Sequence, residues 1–357
     1  MRLVDPKAGA ESRRGGAGPS DHKAITVDGV TFMAPVHNAP AFESPYLMER
    51  PDAAGRSAIL REGRVIGAAT FPPQPKFYAL QTADGVPYSK IAVLHGRDVL
   101  ATTVLQSCIR YESRAKTCRF CAIGQSLAAG RTILRKTPAQ LAEVARAAVE
   151  LDGVRHMVMT TGTPPGRDRG AAILAESAAA VKAAVALPIQ VQCEPPDDDA
   201  WFGRLRAAGA DALGMHLEAV TEPVRARVMP GKAQVSVARY FEAFAAATPV
   251  FGRGQVSTYI LAGLGDTAEE ILGVCERLVA IGVYPFVVPF VPIAGTPLES
   301  QAPPTAAFMH AILQPLARIL AAGGLKSVDV KAGCAKCGAC SALSTYERAS
   351  AVEEALA

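Results

Sequence analysis

Six of the eight cysteines of this chain fall into two groups of three, and thiolates grouped in this way bind metals. The first group has the pattern Cys108-x9-Cys118-x2-Cys121, and the second has the pattern Cys334-x2-Cys337-x2-Cys340. Cysteine thiolates are the usual protein ligands of iron–sulfur clusters, and three of them leave one iron of a four-iron cluster open to another ligand. The spacing therefore predicts an iron–sulfur cluster at each group.

A structural zinc site is the main alternative for these cysteines. One zinc ion could bind the two Cys-x2-Cys pairs at 118–121 and 334–337. Paired zinc ligands usually lie ~15–20 residues apart, however, and this pairing leaves Cys108 and Cys340 unused. Disulfides would need an oxidising compartment. Iron–sulfur ligation is therefore the favoured interpretation.

Composition and charge exclude several other classes of protein. The chain has 357 residues, half of them hydrophobic and a fifth charged, with a net charge of +4 and no long basic stripe. This balance predicts a packed core and gives no reason to expect a nucleic-acid partner. No apolar run approaches the ~20 residues that span a bilayer, and residues 1–22 lack an apolar signal-peptide core. We therefore expect a cytoplasmic protein without a membrane partner.

The elements that must position the cysteines form a regular alternation of strands and helices. The predicted strands are 99–106, 154–161, 188–194, 212–218, 255–262 and 284–291, and the predicted helices are 138–152, 170–186, 198–209, 235–247, 267–281 and 305–322. Thr137 and Thr267 each begin a capping box, and Gly153 ends the first of these helices. Six strand–helix units favour a parallel sheet, closed as a full or partial barrel or open and doubly wound.

This alternation divides the chain into four predicted segments. They are a flexible tail at 1–23, an N-terminal extension of short β-like runs at 24–98 (for example 76–80 and 90–94), a barrel at 99–325 and a C-terminal auxiliary-cluster segment at 326–357. The first cysteine group directly follows the first barrel strand. It therefore lies where barrel and open α/β enzymes build their active sites, at the carboxyl end of a strand.

Two of the predicted strands carry a polar face. Alternation of side chains places Gln190, Gln192 and Glu194 on one face of the third strand, and Cys193 on the opposite face, under the helices. On the fourth strand, Gly214, His216 and Glu218 share a face. If these faces line the cavity, Glu194 points at the active site and Cys193 is a buried structural thiol, as is Cys275 in its helix.

These motifs are similar to those of a known superfamily. Cys118-Arg119-Phe120-Cys121 resembles the signature of radical S-adenosylmethionine (radical SAM) enzymes, although the spacer after the first cysteine is nine residues rather than three. The stretches at 158–163, 214–218, 260–266 and 292–299 resemble motifs of its biotin synthase and lipoyl synthase-like branch. The whole chain is also similar to radical SAM enzymes encoded beside bacterial nitrilases.

The resemblance implies a fold and a reaction. The fold would be a partial (β/α)6 TIM-like barrel of the α/β class. A 4Fe-4S cluster on Cys108, Cys118 and Cys121 would bind S-adenosylmethionine through its open iron. A reductase such as flavodoxin or ferredoxin would supply the electron that yields a 5′-deoxyadenosyl radical, which abstracts hydrogen from a small molecule. Sulfur insertion or rearrangement would be the further chemistry.

The resemblance also implies residues that contact the cofactor, while no catalytic residue is assigned. The predicted S-adenosylmethionine contacts are Thr161, Gly162, Thr163, Glu194, His216, Glu218 and Arg239. The first three would bind the methionine amino group, His216 and Glu218 the ribose, and Arg239 the methionine carboxylate. The second cysteine group would hold an auxiliary four-iron cluster near the barrel mouth.

Two functions from other classes compete with this prediction. The chain could be a ferredoxin-like electron carrier with two clusters, or a zinc-stabilised binding module. A barrel of this size with cofactor-type motifs argues against the electron carrier, and the iron and sulfide content of the reconstituted protein would decide against the zinc module.

Overall fold

The computed structural model describes residues 1–3, 22–36 and 38–356, which form two β-sheets and their helices. The N-terminal sheet has the order β1-β4-β5-β6-β2-β3. Its strands are β1 (Arg2–Leu3), β2 (His22–Val27), β3 (Val30–Pro35), β4 (Tyr46–Met48), β5 (Arg56–Arg61) and β6 (Arg64–Thr70), with helix α1 (Ala39–Phe42) between β3 and β4. Ile25, Met48 and Ile59 form its small buried core.

Two predictions for the N-terminal part are wrong. Residues 2–3 and 22–23 lie in strands rather than in a flexible tail, while residues 4–21 lie outside the described part of the chain. The run 76–80 begins as a 3-10 helix, Lys76–Ala79, instead of a strand. The reason is a cap from far along the chain, since the carboxylate of Asp152 accepts the first two backbone N–H groups of this turn at 2.8 and 2.9 Å.

The second sheet is the barrel, and its strands stand side by side in chain order. These strands are β7 (Val93–His95), β8 (Val99–Thr103), β9 (His156–Thr160), β10 (Ile189–Gln192), β11 (Ala212–Gly214), β12 (Val256–Ala262) and β13 (Val283–Pro289). β8 to β13 are parallel, and β7 pairs with β8 in an antiparallel hairpin. Six parallel strands in this order confirm the partial (β/α)6 barrel.

Helices connect the strands and cover the sheet. They are α2 (Tyr88–Ile91), α3 (Ile123–Ala128), α4 (Pro138–Asp152), α5 (Ala171–Ala184), α6 (Ala200–Ala207), α7 (Glu222–Val228), α8 (Val237–Phe251), α9 (Ala268–Ala280), α10 (Ala306–Ala322), α11 (Cys334–Cys337) and α12 (Leu343–Leu356). Both predicted capping boxes are present, at Thr137 and Thr267, and Gly153 ends α4 in the left-handed conformation. These local signals set the observed starts of α4 and α9.

The strands on either side of the candidate site are shorter than predicted, because the chain bends there. β11 ends at Gly214, and Glu218 has a φ of 65° before it rejoins the sheet in a single bridge to Ile260. Cys193 and Cys275 are buried in the apolar core, as predicted. In the part of the chain that the structure describes, no helix combines the length and the apolar character that crossing a membrane requires.

Candidate active site

The first cysteine group lines a cavity of about 260 Å³ at the carboxyl ends of the barrel strands. Cys108, Cys118 and Cys121 form one wall, and the ends of β9, β10 and the segment after β11 form the others. All three thiols are free and only partly exposed. A loop after β8 thus delivers three potential ligands to one enclosed space.

The backbone of this loop is fixed by hydrogen bonds that also reach two of the sulfur atoms. The N–H of Arg110 donates to Cys108 Sγ at 3.4 Å, and the N–H of Ile123 donates to Cys121 Sγ. Arg119 N–H donates to the carbonyl of Val228 at 2.7 Å, which fastens the loop to α7. Backbone N–H groups directed at sulfur are the kind of contact that tunes the potential of an iron–sulfur cluster.

The thiols suit a cluster better than a single metal ion. Among the described residues, no three His, Cys, Asp or Glu side chains converge on one point, as a mononuclear site requires. A four-iron cluster instead places each cysteine on a different iron. Burial raises the pKa of Cys121 to about 12 and that of Cys118 well above its ordinary value. Such thiols remain protonated unless a metal binds in place of the proton.

Two buried ion pairs supply the charge of the cavity. Arg110 donates to Glu194 at 3.1 Å, and Thr163 Oγ1 donates to the same carboxylate at 2.9 Å. Lys232 Nζ donates to Glu218 at 3.0 Å. Burial acts to lower the pKa of Lys232, but Glu218 and its other neighbours raise it above the ordinary value. Lys232 therefore keeps its positive charge beside Glu218, and each pair leaves acceptor or donor capacity for a polar ligand.

His216 faces the cavity as a neutral ring. Its Nδ1 accepts the backbone N–H of Tyr259 at 3.2 Å, so the proton of the neutral imidazole lies on Nε2. Burial, with a contribution from Lys232, lowers the pKa of His216 to about 3. The ring thus offers an N–H donor to the cavity at neutral pH.

The loop after β9 lines the cavity directly beside the cysteine loop. Thr161, Gly162 and Thr163 line the cavity with Thr103. A Cβ on Gly162 would overlap the carbonyl oxygen of Ser107, so only glycine lets the two loops meet. The hydroxyl of Thr103 is buried without a hydrogen-bond partner among the described residues, which leaves it available to a ligand in the cavity.

Arg239 does not line this cavity, and the prediction that it binds the methionine carboxylate has no support from the geometry. It lies in the first turn of α8 and donates to the carbonyl of Pro196 and to the carboxylate of Asp199. An arginine at an exposed helix start usually pairs with a nearby surface carboxylate, and Arg239 pairs with Asp199.

Several lining residues escaped the assignment from sequence. They include Thr103, Arg110, Gln192 and Lys232. Arg110 had a visible signal, because it follows Cys108 by two residues. Lys232 has no comparable local signal. It follows the Pro230-Gly231 turn, and only the fold brings its ammonium group to Glu218.

The second cysteine group lies against the barrel sheet, with Cys337 beside Gly96 and Cys340 in a cavity that it shares with Phe120 and Pro289, and its place near the barrel mouth stays a prediction. Gly333 donates to His156 Nδ1 at 3.3 Å, at the first residue of β9, and Ser341 Oγ donates to the carbonyl of Val287 in β13. Cys340 Sγ lies 3.5 Å from Nε2 of His95 in β7. Because this short segment, 333–341, reaches both edges and the middle of the sheet, it lies on the concave face of the curled sheet.

The backbone of this segment is partly helical. Cys334–Cys337 is one helical turn, α11, and Gly338 ends it with a φ of 68°, so that Cys340 follows in a loop. Gln192 separates the two cysteine groups. Its side chain lines the first cavity, and its amide nitrogen donates to Cys334 Sγ at 3.4 Å.

The separation of the two groups contradicts the zinc alternative. Residues 118–121 lie at the carboxyl ends of the strands, and 334–337 lie toward their amino ends. The two pairs therefore cannot share one ion.

Comparison with known proteins finds a match to one family model and a distant curated relative. Residues 115–278 match the family model of the radical SAM superfamily. A curated relative, bacteriochlorophyllide c C-7(1)-hydroxylase of Chlorobaculum limnaeum, is 25% identical over 243 residues, which are 63% of this chain and 60% of the relative. The chain thus matches about three fifths of the length of that relative.

Solved structures resemble the chain in fold. A maturase of FeFe-hydrogenase, HydG, superposes with a TM-score of 0.50 at 14% identity, over 67% of this chain and 52% of the maturase. Methylornithine synthase gives a TM-score of 0.49 at 20% identity, over 66% of each chain.

Proposed function

We propose that this chain, of which residues 115–278 match the radical SAM superfamily, is a radical SAM enzyme that cleaves S-adenosylmethionine to a 5′-deoxyadenosyl radical, which abstracts hydrogen from a small molecule. Members of the superfamily use a 4Fe-4S cluster and S-adenosylmethionine, act on small molecules and require a reductant. One observation carries the proposal: three free cysteines share a cavity with two buried ion pairs and a neutral histidine.

In this proposal Cys108, Cys118 and Cys121 hold the cluster through their thiolates. When bound, the cluster supplies the electron that breaks a carbon–sulfur bond of S-adenosylmethionine. Phe120 packs against the apolar residues around Val228 and Phe290, which keeps water from the cysteine loop. Backbone N–H groups at Cys108 and Cys121 hold the sulfur atoms in place.

The polar side chains would orient the cofactor. The loop at 161–163 would offer hydroxyl and backbone groups to the amino group of S-adenosylmethionine. Glu194 supports this loop by accepting a hydrogen bond from the hydroxyl of Thr163. His216 donates from Nε2, and Glu218 accepts, which together match the donor and acceptor character of ribose hydroxyls. Arg110 takes over the role of carboxylate partner that the sequence had suggested for Arg239.

The test is iron content and cofactor cleavage by the Cys118→Ala variant. After anaerobic reconstitution, reduction by flavodoxin or dithionite should give 5′-deoxyadenosine with the wild type and none with the variant. Cys275→Ala is the matched control, because it removes a thiol buried in α9, away from the cavity. Full cleavage by Cys118→Ala would refute the proposal.

We further propose that Cys334, Cys337 and Cys340 hold an auxiliary cluster. Three free thiols lie in one turn and its following loop, within a buried pocket of the barrel. Because Gln192 stands between them and the first cavity, we favour electron relay over donation of sulfur to a substrate. Simple hydrogen abstraction, sulfur insertion and rearrangement would differ in the product of a complete reaction.

Iron counting tests the auxiliary cluster. The variant in which Cys334, Cys337 and Cys340 are all alanine should lose about half of roughly eight irons and keep 5′-deoxyadenosine formation from the first cluster in single turnover. An unchanged iron content would remove the auxiliary cluster from the proposal.

A further inference from the structure

Histidines surround the second cysteine group. His156 contacts the backbone of Gly333, His22 lines a small cavity together with Cys340, and His95 contacts Cys340 directly. These are three of the six histidines in the chain. Imidazole is a common ligand of iron, so the histidines beside these thiols are candidate ligands of a cluster.

His95 points a ring nitrogen at a thiol. His95 Nε2 lies 3.5 Å from Cys340 Sγ. His156 uses its Nδ1 to accept the N–H of Gly333, at 3.3 Å, and so holds the backbone of the segment rather than a sulfur atom.

Two other polar groups at the thiols already donate hydrogen bonds to sulfur. The hydroxyl of Tyr259 donates to Cys340, and the amide nitrogen of Gln192 donates to Cys334. The unprotonated nitrogen of a neutral imidazole offers a lone pair that can bind iron, and His95 supplies such a ring beside Cys340.

The β7–β8 hairpin holds His95 rigidly in this position. His95 is the last residue of β7 and pairs with Val99 across the turn. The next residue, Gly96, has a φ of 60°, and a Cβ there would lie 3.1 Å from Cys337 Sγ and 3.3 Å from Ala339 Cβ. Glycine therefore lets the hairpin approach closely, so that two consecutive residues touch two of the three thiols.

We propose that His95 is the fourth protein ligand of the auxiliary cluster, next to Cys334, Cys337 and Cys340. The proposal rests on the auxiliary cluster proposed above. With four protein ligands, no iron is left for a substrate, so the cluster serves as an electron relay. A neutral imidazole in place of a thiolate also makes the cluster easier to reduce than one with four cysteines.

Pulsed EPR on the reduced protein tests this ligand. In the absence of S-adenosylmethionine, the wild type should show the strong ¹⁴N coupling of a directly bound imidazole. The coupling should disappear in His95→Ala and in His95→Cys. His95→Cys should keep the iron and shift the auxiliary potential to a more negative value, because it adds a negative charge. His156→Gln, which alters a neighbouring ring that touches no thiol, should retain the coupling.

The outcomes distinguish the proposal that His95 is a ligand from the proposal of the auxiliary cluster on which it rests. A wild type with about eight irons and no ¹⁴N coupling, or with a coupling that survives in His95→Ala, overturns His95 alone. A wild type with only about four irons overturns the auxiliary cluster and His95 together, while leaving 5′-deoxyadenosine formation intact. The same spectra in a Cys108, Cys118, Cys121 triple-alanine background isolate the second signal, and His95→Cys serves where His95→Ala does not fold.

Discussion

Glu218 occupies a backbone conformation that costs free energy, and the surrounding residues hold it there. A non-glycine residue with a φ of 65° is uncommon and often marks a functional position. Arg225, fully buried, donates to the carbonyls on both sides of it, Leu217 and Ala219, and the carbonyl of Glu218 accepts the N–H of Leu261 at 2.7 Å. The result is a carboxylate aimed into the cavity and paired with Lys232.

We predict that Glu218→Gln weakens binding of S-adenosylmethionine about tenfold, a loss of ~1.4 kcal/mol. The amide keeps the shape of the side chain but replaces a charged acceptor, whose hydrogen bonds are the stronger kind. Calorimetric titration of the reconstituted protein measures the affinity, and iron content should remain that of the wild type. Glu276→Gln, an exposed position on α9, is the control. Equal affinity of both variants would show that Glu218 does not contact the cofactor.

Among the elements, the loops that follow β8 and β9 meet at a single crowded point. Gly162 packs against the backbone of Ser107, the residue before Cys108, and its N–H donates to the carbonyl of Leu105 at 2.9 Å. The cysteine loop and the cofactor loop therefore cannot move independently. A bulky substitution at Gly162 must therefore disturb the cysteine loop as well as the cofactor loop.

We predict that Gly162→Val lowers the free energy of unfolding by about 3 kcal/mol and reduces the iron content, because the new side chain displaces Ser107 and with it Cys108. Denaturant unfolding and iron analysis measure the two effects. Gly203→Ala is the control, since it lies in α6 with open space around it and should gain about 0.5–1 kcal/mol. Normal iron loading of Gly162→Val would contradict the coupling of the two loops.

At the scale of the whole molecule, residues 333–347 of the C-terminal segment contact both the N-terminal sheet and the barrel. Met33 of the N-terminal sheet donates to the carbonyl of Ala339 at 2.8 Å, and Leu343 of α12 is buried in the barrel core. Glu347 fastens α12 to the barrel by accepting from the hydroxyl of Tyr284 at 3.0 Å and from Ser327. The second cysteine group lies between these attachments.

We predict that Glu347→Ala lowers the free energy of unfolding by about 2–3 kcal/mol, because it leaves the buried hydroxyl of Tyr284 without its acceptor. The variant should also retain less auxiliary iron and a normal first cluster. Thermal unfolding and iron analysis measure both. Arg348→Ala removes an exposed neighbour that contacts only Thr345 and should match the wild type. Equal stability of the two variants would show that α12 is held elsewhere.

The sequence by itself determined the order of the strands and helices and the place of the first cysteine group, because both depend on local patterns. Capping boxes at Thr137 and Thr267 and the alternation of strands and helices lie within a few residues of the elements that they specify. Cys108 follows β8 closely, so chain order alone carries it to the carboxyl end of the sheet. The same is true of His216 and Glu218, whose spacing of two residues brings both to the cavity.

Only the tertiary structure decided which charges enter the cavity and where the second cysteine group lies. Arg110 and Glu194 are 84 positions apart, and Gly333 and His156 are 177 apart. No local pattern encodes such pairs, because they arise when packing brings distant elements together and burial makes an unpaired charge costly. That cost selects Lys232 as the partner of Glu218 in the interior, whereas Arg239, at a helix start, pairs with Asp199 and with the carbonyl of Pro196.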